Sequence, residues 1–193
     1  ESARKFDEVK AVKWLKKKEI MERSYGELME NVVSTRKGLL AEGFEGKHIA
    51  LIGTSSVEWM ESYLGIITGC TTAVPLDAAL PCEDLIDLLN RSDSVALFLS
   101  PKLKPYLDAF LENCPKLQKV WMLQEEVEDA PAKVYGIGEL RNAGKSASAD
   151  SVCPAAEDIA TIIFTSGTTG KSKGVMLTQN NLASNVEAVK ITA

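Results

Sequence analysis

Residues 159–178 read Ile159-Ala160-Thr161-Ile162-Ile163-Phe164-Thr165-Ser166-Gly167-Thr168-Thr169-Gly170-Lys171-Ser172-Lys173-Gly174-Val175-Met176-Leu177-Thr178. The apolar, β-branched run from Ile159 to Phe164 predicts a buried strand. It leads into Thr165–Gly174, a segment made only of Thr, Ser, Gly and Lys, and a second short strand pattern follows from Val175 to Leu177. Gly167, Gly170 and Gly174 permit close backbone approach, and three glycines without an apolar anchor predict a mobile loop. Thr165, Ser166, Thr168 and Thr169 add hydroxyl donors, while Lys171 and Lys173 add positive charge. Open N–H groups, hydroxyls and lysines on one loop are the chemistry a polyphosphate requires.

Two other readings of this segment are weaker. A Walker A loop, Gly-x-x-x-x-Gly-Lys-(Ser/Thr), ending at Gly170-Lys171-Ser172 would need glycine at 165, where threonine stands. It would also open a helix, whereas a glycine and then β-leaning residues follow Lys173. A solvated linker is rarely bracketed so closely by two buried-strand patterns.

Working outward, strands and helices alternate. Val9–Leu15 and Ile20–Arg23 suggest a hairpin across the lysine turn. Ser24-Tyr25-Gly26-Glu27 is a capping box that starts a helix, with Leu28, Val32, Val33, Leu39 and Leu40 expected inside and Gly43 as its stop. His48–Gly53 reads as a strand, with His48 placed at an edge and given no role. Met60, Tyr63, Leu64 and Ile67 form a helical stripe expected to pack in the core. Thr71–Leu76, Val95–Leu99 and Leu117–Leu123 read as strands. Between them lie a helix opened by Pro81, carrying Leu85, Leu88 and Leu89, and a second helix over Lys102–Leu111. This βα rhythm predicts an α/β fold with a mainly parallel sheet flanked by helices. Residues 124–157, acidic and then Ser/Ala/Gly-rich, read as a surface excursion with one weak element (Val134–Arg141), so 1–193 is expected to be a single domain. Trp14, Trp59 and Trp121 read as buried or half-buried packing.

Composition excludes other classes. A net charge of −5 argues against a nucleic-acid partner. The basic cluster Lys10, Lys13, Lys16, Lys17 and Lys18 reads as a solvated hairpin tip, with contact to an anionic membrane as the lesser alternative. No segment approaches the ~18 apolar residues of a membrane span, and no signal peptide is visible. Cys70, Cys82, Cys114 and Cys153 lack metal-ligand spacing, so free thiols, no metal site and a cytoplasmic location are expected.

Thr165–Gly174 resembles the signature loop of the adenylate-forming acyl-CoA synthetases, the AMP-binding superfamily: (Ser/Thr)-Ser-Gly-(Ser/Thr)-Thr-Gly-x-(Pro/Ser)-Lys-Gly. Val175–Leu182 is similar to the segment that follows in the family, with Gln179 in place of the common His. Ile49–Gly53 with Glu58-Trp59 resembles the family's first core strand and next helix. Gly69–Asp77 resembles a family Ala-Gly…Pro-Leu segment, with Cys70 where glycine is usual. The flavour is that of bacterial long-chain fatty-acid ligases.

The resemblance implies the N-terminal part of a large adenylating domain. It implies ATP, Mg2+ and coenzyme A as reactants, and a carboxylic acid activated through an acyl-adenylate to a thioester. It places ATP phosphates on Thr165, Ser166, Gly167, Thr168, Thr169, Gly170, Lys173 and Gly174, with Lys171 facing solvent. The family's ribose-binding acid, acyl tunnel and mobile C-terminal domain have no counterpart in these residues. The stretch is therefore expected to be a truncated portion, inactive alone. It is also expected to self-associate non-biologically through Leu182, Val186, Val189 and Ile191 of its last helix. An adenylating enzyme with a carrier-protein acceptor and a non-catalytic nucleotide-binding module remain open alternatives.

Overall fold

The computed structural model describes residues 2–16, 18–148, 153–165 and 172–192. A short helix α1 (Ser2–Lys5) precedes an antiparallel hairpin of β1 (Lys10–Lys16) and β2 (Glu19–Ser24), as the sequence suggested. Ser24 then caps α2 (Tyr25–Ala41): its Oγ accepts from Glu27 N at 3.2 Å while Glu27 Oε2 accepts from Ser24 N at 2.7 Å. The helix ends on Gly43 at φ 79°, with Phe44 N donating to Leu39 O and Gly43 N to Leu40 O. That pair of bonds is a Schellman stop, and it tucks the Phe44 ring under Leu39.

Among the described residues the main sheet contains seven strands: β3 (His48–Ile52), β4 (Thr72–Leu76), β5 (Ala96–Leu99), β6 (Lys119–Met122), β7 (Val134–Gly136), β8 (Ile159–Thr165) and β9 (Lys173–Thr178). Their order is β7-β6-β5-β3-β4-β8-β9, parallel throughout except for the final antiparallel pair β8–β9. The crossovers are α3 (Val57–Ile67), α4 (Cys82–Arg91), a 3-10 turn (Pro101–Tyr106) running into α5 (Leu107–Asn113), and α6 (Ile137–Ser146). α7 (Gln179–Thr192) follows β9. The fold is the expected mainly parallel α/β sheet.

Side-chain alternation along the strands divides the core in two. Ala50, Ile52, Leu97, Leu99, Val120 and Met122 face α4 and α5, where Leu85, Leu88, Leu89, Leu107 and Phe110 meet them. Ile49, Leu51, Ala96, Phe98, Trp121 and Leu123 face the other layer, where Leu39, Ile66, Ile137 and Leu140 meet them. Trp121 fixes that second core, with its ring 5.7 Å from Phe44, edge to face, and 5.2 Å from Phe98.

Several expectations change. His48 begins β3, a central strand, and its Nδ1 lies 2.7 Å from Ser92 O. Pro81 is the N-cap of α4 rather than a residue of its first turn. Pro101 and Pro105 turn the expected 102–111 helix into a 3-10 turn followed by a shorter α-helix. Val134–Arg141, expected as one weak element on a surface excursion, spans the edge strand β7 and the first residues of α6, with Val134, Ile137, Leu140 and Arg141 buried.

The buried face of α2 is Val32, Ser34, Thr35, Gly38 and Leu39, not the apolar stripe alone; Leu28, Val33 and Leu40 are half-buried. The reason is close helix packing. A β-carbon on Gly144 would lie 1.9 Å from Ser34 O, and one on Gly38 would lie 2.4 Å from Leu140 O. Likewise, α3 buries Val57, Glu61, Ser62, Gly65 and Ile66, while Met60, Tyr63, Leu64 and Ile67 stay half-buried.

Glu61 is the centre of that layer. Its Oε2 meets Arg141 Nη2 at 2.8 Å, and its Oε1 accepts from Arg23 Nη1 at 2.8 Å and from Asn31 Nδ2 at 3.0 Å. One carboxylate thereby ties β2, α2, α3 and α6 together. Burial pushes this carboxyl above its ordinary value, and Arg141, Asn31 and Arg23 pull it back.

Candidate functional site: the β8–β9 hairpin

β8 reaches the site from a polar seam. Its one register position against β4 is Thr161 opposite Ala73. Two threonine hydroxyls reinforce it: Thr161 Oγ1 donates to Ala73 O at 3.0 Å, and Thr72 Oγ1 donates to Ile159 O at 3.0 Å. Along β8, burial falls from Ala160, Thr161 and Ile162 to an exposed Thr165.

β9 returns antiparallel, pairing Ile162 with Met176, Phe164 with Gly174 and Thr165 with Lys173. Thr165 and Lys173 are thus opposed at the mouth of the hairpin, both exposed to solvent. Gly174 serves close approach: a β-carbon there would lie 3.0 Å from Ile162 Cγ2. Of the expected phosphate ligands, the structure places Thr165, Lys173 and Gly174 on these two stems. Ser166, Gly167, Thr168, Thr169 and Gly170, together with Lys171 and the expected loop mobility, lie outside the described residues.

The exit from β9 is firmly tied. Thr178 and Asn181 cap α7 reciprocally, Thr178 N donating to Asn181 Oδ1 at 2.9 Å and Asn181 N to Thr178 Oγ1 at 3.2 Å. Gln179 donates from Nε2 to Ile67 O at 2.6 Å, and its N–H donates to Asp158 O at 3.0 Å. Its side chain therefore anchors the start of α7 to the end of α3. It also borders a cavity of about 470 Å³ shared with Cys70, Thr72, Cys153 and Asp158.

Arg91, given no role in the sequence reading, donates from Nη2 to Ser172 O at 2.6 Å, immediately before Lys173. Its only sequence signal is a basic residue in the last turn of α4. The four cysteines are free thiols. Among the described residues, no group of three or more His, Cys, Asp or Glu could hold a metal ion, and no helix is long and apolar enough to cross a membrane.

The chain matches the AMP-binding enzyme family over residues 1–193. It is 31% identical over 178 residues to long-chain-fatty-acid–CoA ligase 5 of Rattus norvegicus, covering 86% of this chain and 26% of that protein. It is 28% identical over 177 residues to long chain acyl-CoA synthetase 8 of Arabidopsis thaliana, covering 86% and 25%. The chain thus spans about a quarter of the length of these relatives. In fold it resembles coronafacic acid ligase from Pectobacterium brasiliense, with a TM-score of 0.81 and 22% identity over 98% of this chain and 35% of that one. It also resembles the anthranilate CoA ligase AuaEII solved with anthranoyl-AMP, with a TM-score of 0.71 and 19% identity over 82% and 30%. Two paired strands at the edge of a mainly parallel sheet, flanking a sequence rich in hydroxyls and lysines, accord with the match over residues 1–193: the chain belongs to the AMP-binding enzyme family, among relatives that include long-chain acyl-CoA ligases.

Proposed function

We propose that these residues serve, within a longer protein, as the phosphate-holding part of an ATP-dependent acid–thiol ligase that converts a carboxylic acid, of the long-chain fatty class, to its coenzyme A thioester. The observation that carries this reading is Thr165–Gly174, whose stems close as an antiparallel hairpin with Thr165 opposite Lys173. The names of the two relatives above support the substrate class.

In the first half-reaction a carboxylate oxygen bonds to the α-phosphorus of the substrate MgATP, and the bond from that phosphorus to pyrophosphate breaks. In the second, a thiol sulfur bonds to the acyl carbon, the mixed anhydride breaks and AMP leaves. Charge builds on the departing pyrophosphate. The Thr165 hydroxyl, the Lys173 ammonium and the neighbouring Ser166, Thr168 and Thr169 hydroxyls with the Gly167, Gly170 and Gly174 backbone would stabilise it.

The test is carboxylate-dependent ATP–pyrophosphate exchange and thioester formation by the full-length protein, with fatty acids of graded length. Lys173→Ala should slow adenylation by about 100-fold, the scale of one lost charge-stabilising donor. It should leave thioester formation from preformed acyl-adenylate much less affected. Equal loss in both half-reactions would make Lys173 structural. Acyl transfer to a carrier protein but not to coenzyme A would replace the acceptor.

A further inference from the structure

We propose that Arg91 is a positioning residue for the β8–β9 hairpin, holding the backbone at Ser172 and so the placement of Lys173; the inference rests on the ligase reading above. Its guanidinium touches β8 and the residue that leads into β9. Nη2 donates to Ser172 O at 2.6 Å, and Cζ lies 5.5 Å from the ring centroid of Phe164, the β8 residue opposite Gly174. Nη1 donates back to Asp87 Oδ2 at 3.0 Å, one turn earlier on α4, which fixes the plane of the group.

The far end of the hairpin is tied through Thr72, Thr161 and Gln179, whereas Arg91 acts at its mouth. β9 is the last strand of the sheet, with Lys173–Met176 exposed, and β8 holds a single register position against β4. Between that position and Ser172, the clamp from α4 bears directly on where Thr165 and Lys173 sit. α4 can bear that load, because Leu85, Leu88 and Leu89 are all buried in the α4–α5 core. A lysine at 91 could reach the carbonyl but could not at once hold Asp87, stack on Phe164 and donate to Ser172, since that needs the planar fork of a guanidinium.

The experiment uses the full-length protein and follows pyrophosphate exchange, MgATP binding by calorimetry, thioester formation from preformed acyl-adenylate, and thermal melting. Arg91→Ala should raise KM for MgATP in exchange about five- to tenfold, the scale of one partly exposed charge-assisted bond. Thioester formation should change less than about twofold on the same scale. Arg91→Lys should recover less than half of the loss, and Asp87→Asn should shift KM in the same direction by a smaller factor. An unchanged KM for MgATP in Arg91→Ala would overturn the proposal. So would an equal fall in both half-reactions that tracks a lowered melting temperature. If wild type binds MgATP but shows no carboxylate-dependent exchange, the ligase reading fails, and weaker MgATP binding by Arg91→Ala still supports the positioning role. Wild type that binds no MgATP overturns both.

Discussion

Replacing Glu61 by alanine tests whether the α2–α3–α6 layer depends on one buried carboxylate. The Glu61 side chain is fully buried and that of Arg141 is 4% exposed. Removing the carboxylate leaves Arg141 with Glu125 at 3.2 Å, on a largely exposed partner, and Thr35 Oγ1 at 3.4 Å. Asn31 loses an acceptor, and Arg23, being 21% exposed, can turn to water. Stranding one buried charge of such a pair costs about 3–5 kcal/mol. With a urea slope of about 2 kcal/mol per molar, the midpoint should fall by about 2 M. Glu61→Gln keeps an acceptor oxygen but not the charge, and should cost about half as much. Replacing the pair together, Glu61→Leu with Arg141→Met, should recover most of the loss, because no unpaired charge remains inside. Equilibrium urea unfolding of wild type, Glu61→Leu, Arg141→Met and the double variant gives the coupling directly. A loss below ~1 kcal/mol in Glu61→Ala, or additivity of the two single changes, would refute the reasoning.

The sequence made the sheet readable and left the helical layer obscure, for physical reasons. β3, β5 and β6 carry unbroken apolar runs because both faces are covered, and such runs are what a strand pattern detects. The α2–α6 contact is built from Gly38, Gly144, Ser34 and Thr35, and the adjoining α3 contributes Glu61 and Gly65. Hydropathy periodicity assigns such residues to solvent, so the apolar stripes locate Val32 and Leu39, which are buried, and Tyr63 and Ile67, which pack against the core, but not the small and polar residues that complete the buried faces. β7 has three residues, too few for any alternation to register, and it earns its place in the sheet only by pairing with β6. At the site, composition alone marked the hairpin, since Thr165–Gly174 contrasts so sharply with its apolar flanks. The Arg91 contact to Ser172 is purely tertiary, and no local pattern announces it. Gln179 is the intermediate case: its replacement of a common histidine was visible, but its bond to Ile67 O was not.

The remaining expectations are each measurable. Gly38→Ala should destabilise by about 1–3 kcal/mol in urea unfolding, because a β-carbon 2.4 Å from Leu140 O forces α2 and α6 apart. The gain of ~1 kcal/mol normal for that exchange in a helix would argue against the close contact. Burial pushes the Cys114 thiol from 9.0 up to about 11. The unfolded chain releases this proton first as pH rises, so stability should fall between those values by up to ~1.4 kcal/mol per pH unit. Cys114→Ala should remove that slope, and an unchanged slope would assign it to another group. Val186 and Val189 on α7 are 59% and 60% exposed, whereas Leu182 is half-buried and the Ile191 side chain lies outside the described residues. We expect these exposed valines to draw chains together at micromolar concentration, with Val186→Glu sedimenting as monomer; a monomeric wild type would dismiss the idea. Cys70 sits at φ 56°, the left-handed region that a side chain adopts at a cost of about 1–2 kcal/mol. Its carbonyl accepts from Gly46 N at 2.8 Å, so the backbone is held in that conformation from outside. Cys70→Gly should remove the steric cost while surrendering only a half-buried thiol, leaving the protein about 0.5–1 kcal/mol more stable than Cys70→Ala. Both exchanges lose the same sulfur, so their difference isolates the backbone, and an alanine variant as stable as the glycine variant would mean that position 70 carries no strain.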